Sequence, residues 1–313
     1  MKILIVGSGI IGINYGWALS EAGNDVTHLV RPGKGDQCKG TIHLDVIDDR
    51  KGHKKHNFVE YAIKCTEIIT PANDYELIML PIHFYQMEDT LQMLLPLAEK
   101  AIFLDFGSNW EGTEAIEKLV PKEHLLLGFP YGGGSIQNGT YVTYLGPKVY
   151  LGTADGVYTQ TLEQIRSLFT SADLKTDVPD NILHLIWTSH AGAIGLSAGL
   201  AKAGSVTAFL RDRALMVECH TVVRELFQLH RLRGVNPYRY LDLAFLWIVP
   251  AWLFIPILRT FCAFNAGVPR ALAHGIRPGR DSGAIYHVMM KTADELGFNL
   301  PRAKAMAAYL QYE

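Results

Sequence analysis

The stretch MKILIVGSGIIGINYGWALSEAGNDVTHLVR, residues 1–31, decides the fold. Its apolar run Ile3-Leu4-Ile5-Val6 breaks directly into Gly7-Ser8-Gly9-Ile10-Ile11-Gly12, the pattern of a strand that turns into a helix around a dinucleotide. Each glycine has its own task in such a turn. Gly7 takes the tight bend out of the strand, Gly9 has no Cβ to hold the backbone off a pyrophosphate, and Gly12 lets the helix pack close to the sheet. The helix dipole and first N–H groups then face the phosphates, with Ser8, Ile10 and Ile11 completing the contact. The context agrees with this reading. Asn14 to Glu21 reads as a helix, Ala22-Gly23-Asn24 ends it, and Asp25-Val26-Thr27-His28-Leu29-Val30 is a second strand. Arg31 closes that strand nineteen residues past Gly12. A site for NAD places Asp or Glu about 20 residues past the motif, to hold the ribose hydroxyls, whereas arginine suits a 2′-phosphate. The expected cofactor is therefore NADP(H).

Composition narrows the class. With 313 residues, 49% hydrophobic and 19% charged, the chain has enough apolar material for two packed domains and is not a disordered sequence. A formal net charge of −2 gives no field to attract nucleic acid, and the short basic cluster Arg50 to His56 sits beside Asp45, Asp48 and Asp49 and reads as a solvated loop. Cys38, Cys65, Cys219 and Cys262 form no CxxC pair, which points to reduced thiols and, with a strand starting within three residues of Met1, to a cytoplasmic protein. The run LAFLWIVPAWLFIPIL, Leu243 to Leu258, has sixteen residues without a charge. A membrane span needs about 20, and Pro250 and Pro256 interrupt this one. The expected forms are a buried, Pro-kinked helix pair or an exposed apolar patch that makes a homodimer interface or an apolar substrate wall.

Further strands are expected at Phe58 to Ile63, Leu77 to Leu80 and Ala101 to Phe106, alternating with helices at Gln86 to Lys100 and Thr113 to Leu119. This alternation gives an α/β domain with a mostly parallel, doubly wound sheet of Rossmann type. The tract from Leu125 to Gly152, rich in Gly, Thr, Tyr and Val, reads as antiparallel strands at the sheet edge, with Gly132-Gly133-Gly134 as a turn. Thr161 to Ala172 is a short helix and residues 177–180 a linker. Beyond it only helical stretches follow, at Asn181 to Ala203, Thr207 to Arg233, Leu243 to Phe264 and Ser282 to Leu296. The expected domains are residues 1–180, holding NADP, and residues 181–313, an all-helical substrate and dimerisation domain, with the cleft between them as the substrate site.

With these motifs placed, the chain resembles the ketopantoate reductases (2-dehydropantoate 2-reductases). The resemblance rests on GSGIIG, on Arg31, on Leu80-Pro81-Ile82-His83-Phe84-Tyr85-Gln86 and on Ser108-Asn109-Trp110-Glu111-Gly112. It implies a Rossmann-type domain followed by a 6-phosphogluconate-dehydrogenase-like helical domain, and a role in pantothenate biosynthesis. It also implies that Leu80, Pro81, Gln86 and Asn109 line the cofactor, with Asn109 beside nicotinamide and substrate. The family has a lysine where His83 stands. Its general acid is a lysine two residues past a tryptophan; here Trp187 is followed by Thr188, Ser189 and His190. The family's following asparagine falls at Ala193 or Ile194, and its late glutamate near Asp281.

Reducing a carbonyl requires a hydride and a proton donor with a pKa near working pH. His190 is the candidate acid, since imidazole titrates in that range, and Asn109 and Asp281 are the candidate substrate contacts. Each also has a plain structural reading as a helix histidine, a turn asparagine or a solvated acid. No metal site is expected: His184 and His190 are six apart, His220 and His230 ten apart, and no HExxH occurs. Arg211, Arg213, Arg224, Arg231 and Arg233 read as a salt-bridged face or as groups that reach an acidic substrate. The leading function is an NADPH-dependent reductase of a small 2-oxo acid or related ketone. The alternatives are a non-catalytic NADP-binding sensor or partner-binding protein, and a membrane-surface or lipid-substrate role for the apolar run.

Overall fold

The computed structural model describes residues 1–35, 40–276 and 280–310. They form two compact units, Met1–Ile182 and Leu183–Glu313. The first contains β1 (Lys2–Val6), α1 (Ile10–Glu21), β2 (Asp25–Leu29), β3 (Thr41–Asp48), β4 (Lys55–Ala62), β5 (Cys65–Thr66) and β6 (Leu77–Leu80). It continues with α2 (Met87–Leu94), β7 (Ile102–Asp105), α3 (Glu114–Glu117), β8 (Leu125–Gln137), β9 (Thr140–Gly152), α4 (Gln160–Ser171) and β10 (Lys175–Asp177).

These strands make one sheet in the order β4-β3-β9-β8-β7-β6-β1-β2-β5, with β10 beside β9. From β5 to the start of β8 every pairing is parallel. Ile3, Leu4, Ile5 and Leu77 through Leu80 are wholly buried, as expected for parallel strands covered on both faces, whose sequences run apolar without alternation.

The other half is mixed, within a sheet whose pairings are mostly parallel as expected. β8 and β9 form an antiparallel hairpin through Asn138-Gly139, whose φ values of +50° and +81° suit the type I′ turn that joins twisted strands. This hairpin lies inside the sheet. β9 pairs in parallel with β3, and β3 pairs antiparallel with β4, which forms the edge. Gly132-Gly133-Gly134 is not a turn but part of β8, where a Cβ on Gly132 would stand 2.5 Å from the Tyr144 carbonyl oxygen. Small residues here let two strands approach past the irregularity between Pro130 and Gly132. Residues 175–177, read partly as linker, pair with β9.

Other boundaries follow proline and capping chemistry. The helix expected from Gln86 to Lys100 is α2 flanked by 3-10 turns, the second holding Pro96, which has no N–H to continue the ladder. α3 spans only four residues.

The basic cluster is also corrected. Arg50 is 8% exposed rather than solvated. Its guanidinium donates to Asp48 through Nε at 3.0 Å and Nη2 at 2.8 Å, reaches Glu21 at 2.7 Å, and lies 4.6 Å from the Trp17 ring centroid. It thereby ties α1 to the end of β3, and Lys55 and His56 continue into β4.

Every regular element described from Leu183 onward is helical: α5 (Ile182–Ala203), α6 (Val206–Arg211), α7 (Arg213–Leu232), α8 (Leu241–Ile248), α9 (Ala251–Phe264), α10 (Gly267–Leu272), α11 (Arg280–Glu295) and α12 (Pro301–Ala305), with short 3-10 turns between. The stretch read as one helix from Thr207 divides at Asp212, whose carboxylate accepts from the Leu215 N–H and caps α7. The apolar run divides at Val249-Pro250 into α8 and α9. His220 of α7 meets this break through Nε2, 2.8 Å from the Val249 carbonyl oxygen. The run is a helix pair broken at proline, with Trp247, Phe254, Ile255 and Leu258 buried and Trp252 exposed. Among the described residues no single helix is long and apolar enough to cross a membrane.

Removing the Arg50 side chain leaves the half-buried Asp48 carboxylate without its guanidinium. Arg50→Ala should lower stability by about 2 kcal/mol, read as a shift in the urea midpoint. An unchanged midpoint would show that the α1–β3 tie is not structural.

A candidate dinucleotide site

The carboxyl ends of β2, β1, β6 and β7 lie side by side, because these four strands are adjacent and parallel and Val6 pairs with Leu29, Ile5 with Met79 and Leu80 with Asp105. The chain leaves β1 with β2 on one side and β6 on the other, so this is the switch point at which open α/β sheets take ligands. The expected cofactor residues stand at or after these strand ends: Leu80 closes β6, and Gly7 to Gly12, Arg31, Pro81, Gln86 and Asn109 follow β1, β2, β6 and β7.

At the end of β1, Gly7 has φ +91° and its N–H donates to the Leu29 carbonyl oxygen at 2.7 Å, fastening the turn to β2. Gly9 is extended and precedes α1, which no side chain caps. Its first amide N–H groups are left for an external acceptor. A Cβ on Gly7 or Gly9 would meet nothing within 4 Å, so the turn is open on that side. A Cβ on Gly12 would lie 3.2 Å from the Gly7 carbonyl oxygen, 3.3 Å from Ile5 Cγ2 and 3.5 Å from Pro81 Cγ. The open side and the packed side together suit an anionic group laid on the helix N-terminus.

Several supports for this turn escaped the sequence reading. His28, on β2, is buried with Nδ1 2.9 Å from the Gly7 carbonyl oxygen and Nε2 3.2 Å from the Tyr61 hydroxyl. A carbonyl only accepts, so Nδ1 carries the proton, and burial pushes the imidazole down to about 4, leaving it neutral near pH 7. The Tyr141 hydroxyl donates to the Ser8 carbonyl oxygen at 2.8 Å. Past β2, Arg31 is exposed, and Glu67 accepts from the N–H groups of Gly33 and Gly35 at 3.1 and 2.5 Å, holding the loop that carries Arg31. An acid just after the short β5 is the only trace of that clamp in the sequence.

After β6, Gln86 Oε1 accepts from the His83 N–H at 3.3 Å, and the Gln86 N–H donates to the His83 carbonyl oxygen at 2.9 Å. Gln86 closes its own turn. Leu80 is wholly buried and His83 is exposed.

After β7, Asn109 has φ +44°, a left-handed conformation that asparagine tolerates better than most residues. It is held there by Asp105. One carboxylate oxygen accepts from the Gly107 N–H at 2.7 Å and the other from Asn109 Nδ2 at 2.8 Å. Burial pushes the Asp105 carboxyl up to about 6, against the lowering effect of those two donors. The amide N–H of Asn109 is thus turned toward Asp105, a residue that read as the end of a strand.

In the helical unit, Trp187 and His190 lie on α5. His190 is half-buried with Nδ1 2.7 Å from the Ile186 carbonyl oxygen, and because a carbonyl only accepts, Nδ1 carries a proton. The Arg233 guanidinium lies 3.9 Å from the Trp187 ring centroid, and the buried His230 reaches the Trp187 carbonyl oxygen through Nε2 at 2.7 Å. Burial, and then the positive charges of Arg233 and Arg239, depress the His184 pKa, the sign of a locally cationic region. The Asp281 side chain and Cys38 lie outside the described residues. Among the described residues no group of three or more His, Cys, Asp or Glu side chains is gathered as for a metal ion. Burial pushes the thiols of Cys219 and Cys262 up to about 12 and 11, so neither is a nucleophile at neutral pH.

The fold and strand-end geometry define a Rossmann-type protein with a helical second unit. Residues 3–156 match the ketopantoate reductase PanE/ApbA family. An uncharacterized oxidoreductase of Bacillus subtilis, YkpB, is 24% identical over 214 residues, 67% of this chain and 66% of that protein. The 2-dehydropantoate 2-reductase of Pyrococcus abyssi is 29% identical over 196 residues, 60% of this chain and 59% of its own. The match thus takes in less than two thirds of either relative's length. Among solved structures, 2-dehydropantoate 2-reductase from Geobacter metallireducens aligns over 99% of both chains with a TM-score of 0.76 and 16% identity. D-mandelate dehydrogenase, solved with NADH and anilino(oxo)acetate, aligns over 99% of this chain and 97% of its own with a TM-score of 0.70 and 17% identity. At these identities the two structures speak to the fold.

The raised pKa of Asp105 fixes a sign. The folded state holds this proton more tightly than the unfolded chain, so the residue's contribution to stability falls as pH rises from about 4 to 6 and is level above. Asp105→Asn should therefore gain on the parent by on the order of 2 kcal/mol between pH 4.5 and 7 in paired urea titrations. A constant difference between the two proteins over that range would refute an ionised, buried Asp105.

Proposed function

We propose that the protein is an NADPH-dependent reductase of a small 2-oxo acid or related ketone. The observation that carries this reading is the glycine turn, open over Gly7 and Gly9, uncapped at α1, and set at the strand switch point. Gly7 to Gly12 would hold the pyrophosphate by backbone N–H groups, and Arg31 would meet the 2′-phosphate. When bound, the cofactor supplies a hydride to the substrate carbonyl.

The residues of this chain would supply the rest. Asp105 fixes the Asn109 turn near the strand ends, and Asn109, Leu80 and Pro81 would border the nicotinamide. His190, protonated on Nε2 as the imidazolium, would give a proton to the developing alkoxide. Its bond to Ile186 fixes the ring so that Nε2 is the reacting nitrogen. The cationic region around Arg233 and Arg239 favours a substrate carboxylate. Asp281 is proposed as a further substrate contact from the family resemblance alone. The same reading makes the protein cytoplasmic and a user of soluble metabolites.

A second reading has a specific observation in its favour. The side-chain amide of Asn109 is engaged by Asp105, and in the register of the family resemblance Ser189 would stand at the lysine position and Ala193 or Ile194 at that of the asparagine. This suits a protein that binds the dinucleotide without turning it over.

Purified protein with NADPH and a panel of 2-oxo acids, ketopantoate included, should show loss of nicotinamide absorbance. His190→Gln should cut kcat by roughly 10²- to 10⁴-fold with little change in the KM for NADPH. No turnover across the panel would favour the second reading, and full activity of His190→Gln would remove that residue as the acid.

A further inference from the structure

The helical unit carries a groove of about 360 Å³ lined by Arg213, Trp252, Ile255, Pro256, Arg259 and Thr260. It is built from the N-terminus of α7 and one side of α9. On α9, Trp252, Pro256, Thr260 and Phe264 recur every four residues and share one stripe, opposite the buried Phe254, Leu258 and Cys262. That stripe is exposed and, apart from Thr260, apolar. Trp252 is 68% exposed and Phe264 82%, and Phe245 on α8 and Phe261 on α9 are about half exposed, at 47% and 50%.

The groove itself is lined by two arginines, Arg213 and Arg259, while Asp212 precedes α7 and Asp242 stands in the first turn of α8. Residues 243–264 contain no Asp or Glu, and Arg259 is their one charged group. Arg259 Nε donates to the Leu210 carbonyl oxygen at 2.7 Å, which anchors the guanidinium at the groove without neutralising it. Of the acids close by in sequence, the Asp212 carboxylate caps α7 and Glu218 pairs with Lys202. Two guanidinium groups therefore sit at an apolar, aromatic surface with no carboxylate paired to either among the described residues.

We infer that the α8–α9 face is a docking surface for an anionic membrane, with Trp252 entering the interfacial layer and Arg213 and Arg259 meeting lipid phosphates. Exposed tryptophan and phenylalanine beside arginine are the components of a helix that lies in the headgroup region, and no spanning helix is needed. A second copy of this chain fits less well. A two-fold interface centred on the groove would bring the arginines of one protomer against those of the other, and the groove lining holds no acid to meet them. A small soluble anion would fill the groove but leave Phe264 and Phe261 in water.

The five tryptophans provide a direct reading. Trp17, Trp110, Trp187 and Trp247 are each at most 8% exposed, so a change in solvent exposure of indole on docking reports Trp252. Flotation with vesicles of phosphatidylcholine alone, and with about 30% phosphatidylglycerol, is followed beside tryptophan emission. The protein should float with the anionic vesicles and remain below with the neutral ones, with a blue shift that Trp252→Ala abolishes. Arg213→Gln and Arg259→Gln should each weaken partitioning about fivefold. All three sites are exposed, and an unchanged far-UV spectrum shows that each variant has folded. Three results would overturn the inference: no flotation with anionic vesicles, a blue shift with monomeric dodecyl phosphate but none with vesicles, or a change of oligomeric state in Trp252→Ala without any vesicle binding.

Discussion

The first helix lies so close to the first strand that a Cβ at Gly12 would be in tight contact at 3.2 Å with the Gly7 carbonyl oxygen, and much of the first unit is arranged around that approach. The helix can start where it does because Gly7 bends the chain and Gly12 lies against the Gly7 carbonyl, Ile5 and Pro81. The same bend carries the Gly7 N–H to β2 and its carbonyl oxygen to the buried His28. A turn with its amides facing outward is thus fastened from below on both of its polar groups. The opening above Gly7 and Gly9 and the crowding at Gly12 have a single cause, the placement of α1.

A second constraint lies two strands away. Asn109 occupies a left-handed conformation because the Asp105 carboxylate takes its amide hydrogen and that of the Gly107 backbone. Holding a buried carboxylate costs stability, and the cost is retained at a strand end where the fold brings other site candidates together. The helical unit shows a related economy. Trp187 carries Arg233 on its ring and has His230 Nε2 at its carbonyl oxygen, and Arg233 and Arg239 lend positive charge to this part of α5.

Local patterns in the sequence carried the architecture. The glycine turn, the apolar strands at residues 77–80 and 101–106 and the helical run beyond residue 180 are all legible because each is a contiguous pattern with its own period or turn chemistry. β3 was not read, since Thr41–Asp48 mixes acids and apolar residues and becomes a strand only by pairing with β4 and β9. The hairpin of β8 and β9 was recognised and placed at the wrong position in the sheet for the same reason. Arg50, His28, Asp105 and Glu67 act through partners 2 to 122 residues distant in the chain, a tertiary property that residue type alone does not reveal. The candidate site was therefore legible in its glycines and Arg31, and invisible in the groups that hold them.

The central claim is that the strand-end turn binds a dinucleotide and that Arg31 selects its 2′-phosphate. Calorimetric titration with NADP⁺ and with NAD⁺ tests this most directly, since it does not require a substrate. The account predicts one site per chain with NADP⁺ bound at least tenfold more tightly than NAD⁺, a preference of about 1.4 kcal/mol. No binding of either dinucleotide, or a preference for NAD⁺, would contradict it.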